Sequence, residues 1–252
     1  MSILAACHAH SKWSYDGSWT IPDLAEEFRR RGYRALLLTE HDRGFDASKL
    51  AQFKEECRAA SSSQFLVVPG IEYSDPTNTI HILTWGEIPF IGENTPTEAT
   101  LRAVSDAGGV SVLAHPSRRN AWRLFDPKWT RHLLGIELWN RKTDGWRPSS
   151  HAPALLAQTG AVPFAGLDFH TAKQMSSLAM SLRIDGEICE GSVLACLRER
   201  RCEARAFGSP LTAANLRLLR ASFGPLEFAR RSLRWIYRRA KASTALPRAT
   251  QP

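Results

Sequence analysis

Seven short apolar runs constrain the fold of this chain more than any other feature of its sequence: residues 3–7, 35–39, 65–68, 80–85, 110–114, 135–139 and 162–165. Their Val, Ile and Leu residues do not alternate with polar ones, which is the pattern of strands buried on both faces of a mostly parallel sheet. Between them, residues 21–31, 46–60, 97–107 and 152–158 carry the spacing of amphipathic helices. Gly32, Gly108 and Gly160 fit the C-termini of three of these, and Pro22, Pro96 and Pro153 fit first turns. Strand–helix alternation on this scale predicts a parallel α/β fold, either an open sheet or a closed barrel. With 252 residues and 43% hydrophobic content, one such domain can bury its own core.

Composition excludes several classes. Five cysteines, an odd number without a C-x-x-C pair, argue against a disulfide framework or a zinc ribbon and for a reducing compartment. Leu4-Ala5-Ala6-Cys7 superficially matches a lipoprotein cleavage site. Only six residues precede Cys7, none of them basic, whereas a secretory signal needs a basic stretch and then an apolar run of roughly 7–15 residues. No apolar run reaches the ~18 residues of a membrane span, so a cytoplasmic protein is expected. The formal net charge of +8 is unevenly placed. Residues 1–200 hold 22 Lys/Arg against 23 Asp/Glu, and residues 201–252 hold 11 Lys/Arg against only Glu203 and Glu227. The front four-fifths therefore lack the polycationic footprint of a nucleic-acid binder.

The chemistry stands just beyond the apolar runs. The first leads into His8-Ala9-His10, whose two imidazoles share one side of an extended segment and can share an ion. The second leads into Glu40-His41-Asp42, the third through Gly70 to Glu72, and His81 opens the fourth. The fifth ends at His115-Pro116, and the seventh leads into Gly166-Leu167-Asp168-Phe169-His170. In parallel α/β folds the C-terminal strand ends share the face that carries the active site. Six of the eight histidines lie at such positions, beside Glu72 and Asp168. One histidine there is most simply structural, but six with two carboxylates point to a metal cluster. Imidazole and carboxylate without thiolate suit Zn, Mn or Fe. His132 and His151 fall in helical or loop context and are expected to be structural or exposed.

In order, H-x-H, T-E-H-D, G-I-E, A-H-P and G-x-D-x-H resemble the motifs of the polymerase and histidinol phosphatase (PHP) family of metallophosphoesterases, across residues 8 to 170. The resemblance implies a distorted seven-stranded β/α barrel, TIM-like, with two to three divalent metals at its C-terminal mouth. It implies a first ion on His8, His10, Glu72 and Asp168, and a second on Glu72, His81 and His115. A third would take Asp16, His41 and His170. The family has Asp where this chain has Glu40, which reads as a partner orienting His41 rather than a ligand. Only 33 residues separate His81 from His115, little room for a capping subdomain, so an open site is expected.

Closely spaced divalent ions can generate a hydroxide near neutral pH and neutralise phosphoryl oxygens, so a metal-bound hydroxide is the expected nucleophile on a small-molecule phosphate ester such as a nucleotide or sugar phosphate. Arg43 and Arg118 are candidate phosphate contacts, with Lys173 and Arg183 weaker. Trp13, Trp19, Trp122, Trp139 and Trp146 could stack on a ring substrate or simply pack loops. Asn140 could touch substrate, with no role assigned. The alternatives are a same-fold hydrolase of a non-phosphate ester or amide, and a nuclease that uses the basic C-terminal tail. The domain reading is a metallohydrolase barrel over 1–205, a basic helical extension over 206–241 and a disordered tail over 242–252. Within the extension, 225–241 places Leu226, Ala229, Leu233, Ile236, Tyr237 and Ala240 on one face among arginines. Such a helix either packs that face on the barrel or meets an anionic membrane or polyanion. The oligomeric state is undetermined.

Overall fold

The computed structural model describes residues 1–244. All seven apolar runs form strands: β1 (Ser2–Cys7), β2 (Ala35–Leu37), β4 (Leu66–Val68), β6 (His81–Trp85), β7 (Val110–Leu113), β8 (Gly135–Asn140) and β9 (Val162–Gly166). Two short strands continue earlier ones after a break, β3 (Glu40–His41) beyond β2 and β5 (Gly70–Ser74) beyond β4. The expected helices are α1 (Ile21–Arg30), α2 (Ala47–Ala60), α3 (Thr97–Asp106) and α5 (Ala152–Thr159), and a one-turn α4 (Arg141–Asp144) follows β8. Capping explains their starts. Thr20 and Asp23 form a reciprocal capping box on α1, and Asp46 accepts from the backbone N–H of Lys49 on α2. Gly160 ends α5 at a φ of 63°, a left-handed cap that a side chain would oppose.

Strand continuity and helix placement follow the apolar pattern, but the expectation of a mostly parallel sheet does not hold. The strands form two six-stranded mixed sheets, ordered β12-β11-β10-β1-β2-β4 and β3-β5-β6-β7-β8-β9, where β10 is Leu178–Arg183, β11 Cys202–Ala206 and β12 Ser209–Pro210. Five of the ten pairings are antiparallel. One physical reason is the turn at Asp75, whose carboxylate accepts from the backbone N–H groups of Thr79 (2.6 Å) and Ile80 (2.9 Å). That turn sends β6 back alongside β5. Because β6 runs in reverse, His81 at its start lies beside Ser74 at the end of β5.

Main-chain hydrogen bonds continue beyond the ladders, and those between the segments after β1 and β9 join the two sheets. Leu38 N–H donates to Val68 O (3.0 Å), Thr39 N–H to Ala9 O (2.9 Å) and Asp42 N–H to Glu72 O (3.1 Å). On the other side of β1, Leu167 N–H donates to Cys7 O (2.9 Å), Phe169 N–H to His8 O (3.1 Å) and His10 N–H to Phe169 O (2.8 Å). The segment after β1 is thus bonded both to the segment after β2 and to the segment after β9. A single core of apolar side chains, including Phe28, Phe53, Trp85 and Phe164, runs through both sheets.

After α6 (Glu190–Arg198) and the two short strands β11 and β12, the chain ends its described part in α7 (Ala213–Thr244). This helix starts earlier than the 225–241 stretch recognised from its apolar spacing. Residues 242–244 close it, and the rest of the tail expected to be disordered, 245–252, lies outside the described residues. Cys7 is wholly buried in β1. Among the described residues, no helix is long and apolar enough to cross a membrane.

Candidate metal centre

The ends of the strands bring all nine predicted residues to one place. His8 and His10 follow β1, His41 ends β3, Glu72 lies in β5, His81 opens β6, His115 follows β7, and Asp168 and His170 follow β9. Asp16, in the loop after His10, stands 3.2 Å from His41 Nε2 and 3.1 Å from His170 Nε2. Glu72 is at the centre. Its Oε1 lies 2.7 Å from His81 Nδ1, 2.9 Å from His115 Nε2 and 3.6 Å from His8 Nε2, and its Oε2 lies 3.0 Å from His41 Nδ1 and 3.3 Å from His10 Nε2. The mouth opens into a cavity of about 420 Å³ lined by Glu72, His41, His81, His115, Asp16 and Asp168.

Three overlapping sets bring their donor atoms within 4.8 Å of one another: His8, Glu72 and His115; His8, His10 and Asp168; and His10, His41 and His170. Asp16 and His81 border these sets without belonging to them. The hydrogen-bonding inventory tests whether a cation suits the place. Nε2 of His8, His10 and His41, Oε2 of Glu72 and Nδ1 of His115 are buried with no hydrogen bond. Buried polar atoms are normally paired, and atoms left over on converging rings are what a shared cation would satisfy. The residues fit divalent ions.

The opposite ring nitrogens are tied down. His8 Nδ1 lies 2.8 Å from Glu137 Oε1, so it donates to that carboxylate and turns Nε2 toward Glu72 and Asp168. Glu137 also accepts from the backbone N–H of His115 (2.6 Å) and from Asn140 Nδ2 (2.8 Å). His10 is held through a relay. Ser14 Oγ donates to Glu40, lies 3.1 Å from His10 Nδ1 and accepts from the His41 N–H (3.0 Å). Glu40, expected to orient His41, reaches the His41 backbone and the His10 ring through Ser14. A second bond, from Ser11 N–H (2.9 Å), fixes the Glu40 carboxylate.

Electrostatics follow from burial and crowding. Burial opposes a charge on His8, yet the carboxylates of Glu137, Asp168 and Glu72 hold its proton well above the ordinary histidine range. Burial likewise opposes charge on His41, but Asp16 and Glu72 raise it to about 10. His10 moves the other way, lowered well below its ordinary value by burial and by His41. Burial pushes the Glu72 carboxyl up, and the surrounding imidazoles, His81 and His8 foremost, more than reverse it. Three residues of the cluster also sit in left-handed backbone conformations that side chains disfavour: His8 (φ 62°), His115 (φ 25°) and Asp168 (φ 49°).

Both arginines predicted to contact phosphate line the cavity. Arg118 reaches Asn78 O (2.8 Å) and lies 3.1 Å from His81 Nε2, while Arg43 lies over the Tyr15 ring. Lys142, in α4, was not predicted; its Nζ stands 3.2 Å from Asp168 Oδ1 and 3.1 Å from His170 Nε2. Lys173 does not line the cavity, and Arg183 pairs with Ser2 at the opposite end of β1. None of the five tryptophans lines it either: Trp139 is buried in β8, Trp13 packs on Phe45 and Phe53, Trp19 on Phe169, Trp122 on His151, and Trp146 carries Arg141. Asn140 is buried beneath the site, bonded to Glu137 and capping α4. His132 and His151 stand outside the cluster.

No family model matches the chain, and no curated protein matches it significantly in sequence. Solved structures do match. A two-domain protein from Bacteroides vulgatus ATCC 8482, named as containing a predicted PHP-like metal-dependent phosphoesterase, is 16% identical with a TM-score of 0.66, over 88% of this chain and 70% of that one. PsfC from Pseudomonas syringae PB-5123 is 16% identical with a TM-score of 0.61, over 92% of this chain and 99% of that one. The lesion-specific endonuclease PfuEndoQ from Pyrococcus furiosus is 14% identical with a TM-score of 0.52, over 74% of this chain and 53% of that one. At these identities the likeness is one of architecture, and this chain has the fold of the PHP-like metal-dependent phosphoesterases.

Proposed function

We propose that the chain is a metal-dependent phosphoesterase of the PHP family, acting on a small-molecule phosphate ester. One observation carries the reading: four buried donor atoms without hydrogen bonds, Nε2 of His8, His10 and His41 and Oε2 of Glu72, lie together beneath a cavity whose rim bears Arg43, Arg118 and Lys142. His8, His10, Glu72 and Asp168 would hold one ion, Glu72, His81 and His115 a second, and Asp16, His41 and His170 a third. Bound there, manganese, zinc or iron supplies Lewis acidity, lowers the pKa of water and neutralises charge on phosphoryl oxygens. The chain's own residues do the rest. Glu137 and the Glu40–Ser14 pair fix the tautomers of His8 and His10, and the guanidinium groups at the rim offer bidentate contacts to a phosphate. The main-chain bonds on both sides of β1 support treating the two sheets as one distorted β/α barrel, with α7 as an extension to it.

The test is elemental analysis of the purified chain beside hydrolysis of aryl phosphate monoesters and diesters with added manganese or zinc. Two or three metals per chain are expected, with turnover lost by at least about 100-fold in His8→Ala, because removing one ligand disturbs every ion sharing Glu72. Bound metal without phosphate turnover would transfer the reading to a hydrolase of a non-phosphate ester or amide. The architecture shared with an endonuclease puts an oligonucleotide in the same panel.

A further inference from the structure

α7 buries Leu216 near its start as an ordinary surface helix does, but beyond Phe223 its orientation is inverted. Successive residues turn by about 100°, so Phe223, Glu227 and Arg230 share one stripe, and that stripe faces the domain. Phe223 stacks on Phe207 with centroids 5.4 Å apart, Glu227 is 3% exposed and accepts from Trp146 N–H (3.1 Å), and Arg230 pairs with Glu227 at 2.6 Å. The large apolar residues beyond Phe223 point outward. Leu226 is 60% exposed, Phe228 75%, Leu233 67%, Trp235 59% and Ile236 55%. The sequence suggested that Leu226, Leu233 and Ile236 could pack on the barrel, and they do not. Isolated exposed apolar side chains are ordinary, but five within eleven residues of one helix form a patch of the kind that meets a partner.

The charge around that patch selects the partner. Residues 206–244 contain eight Lys/Arg and one acid, Glu227, which is buried and already paired. A second copy of α7 would bring arginine against arginine with no carboxylate to offset it. Nucleic acid would satisfy the arginines and leave Leu226, Phe228, Leu233 and Ile236 in water. An anionic lipid surface accepts both, with side chains among acyl chains and guanidinium groups at the headgroups. We propose that α7 docks this protein on an anionic bilayer, with the helix lying in the interface. This proposal is independent of the reaction at the metal centre.

The test uses the full chain in sedimentation with vesicles of phosphatidylcholine containing phosphatidylglycerol, and with pure phosphatidylcholine as the control. Binding is expected to the anionic vesicles only, to weaken at high salt, and to fall about tenfold or more in the variant Leu233→Ser, Ile236→Ser. Arg234→Glu should weaken it without touching the apolar patch, and circular dichroism of both variants establishes that they are folded. Quenching of tryptophan fluorescence by brominated lipid gives a second readout. The proposal is overturned by no binding of the wild-type chain to anionic vesicles, by binding unchanged in both folded variants, or by a stable dimer in solution that Leu233→Ser, Ile236→Ser dissociates. Retention of a single-stranded oligonucleotide without retention of vesicles also overturns it, in favour of a nucleic-acid surface.

Discussion

Glu137 touches three parts of the metal centre without facing the cavity: the His8 ring, the His115 backbone and Asn140. Gly166 makes room for it, because a Cβ there would collide with the Glu137 carboxylate. Partners of this kind raise ligand basicity and fix ring orientation. Glu137→Gln should therefore weaken metal binding by about 10–100-fold, and Gly166→Ala should shift it in the same direction by displacing the same carboxylate. Metal titration of folded protein reads both, and unchanged affinity in both variants would remove Glu137 from the centre. Eight of the nine predicted residues were legible because strand ends announce themselves, with an apolar run meeting a histidine or carboxylate, and Asp16 came only from the family resemblance. Glu137 was not assigned a role, although the signal was there: a lone carboxylate inside the apolar run Gly135–Asn140 has to be paired once buried. Lys142 and Ser14 carried no such signal, since a lysine after a strand and a serine in a loop are ordinary surface residues until the fold turns them inward.

At the scale of elements, α4 holds a second buried acid with a different history. Asp144 is 5% exposed, and burial raises its carboxyl to about 7 despite bonds from Asn140 N–H and Ser117. A carboxyl raised in the folded state contributes stability that is fully present below its unfolded pKa of about 4 and is lost as pH rises through about 7. Asp144→Asn removes that titration. Thermal melting should show the variant gaining on the wild type by about 5 °C between about pH 5 and about pH 8, at roughly 2–4 °C per kcal/mol. A constant difference across that range would contradict the assignment. The early elements were readable because non-alternating Val/Ile/Leu runs are strands and capped amphipathic stretches are helices. β10 and β11 escaped because they follow another rule: Leu178, Met180 and Leu182 alternate with smaller or polar residues, and Ala204 and Ala206 alternate with Glu203 and Arg205. A search tuned to buried parallel strands passes over such antiparallel ones. For α7 the spacing located an apolar face and could not tell which side the domain would occupy. Leu216, Phe223 and the buried carboxylate of Glu227, paired with Arg230, mark that side.

For the molecule as a whole, the proposed ligands run from His8 to His170, so a cation bound there would cross-link strands from both sheets. Binding to the folded state alone raises stability by about 2.7 kcal/mol at a hundredfold excess over Kd. The effect should shrink as pH falls, because His8 and His41 hold protons that the ion must displace. Melting temperature against added manganese or zinc, at acid and neutral pH, reads both statements; a metal shift that grew at acid pH would be inconsistent with imidazole ligation. Domain size, helix placement and the division of charge were visible in the chain itself, whereas the split into two mixed sheets depends on pairings between distant segments. One of those pairings governs how the protein is made. β1 is bordered by β2 on one side and by β10, antiparallel, on the other, with Ile3 opposite Leu182. During synthesis β1 must wait for some 180 further residues before this edge is covered. Until then β1 presents a bare apolar edge, the situation in which a nascent chain most depends on chaperones.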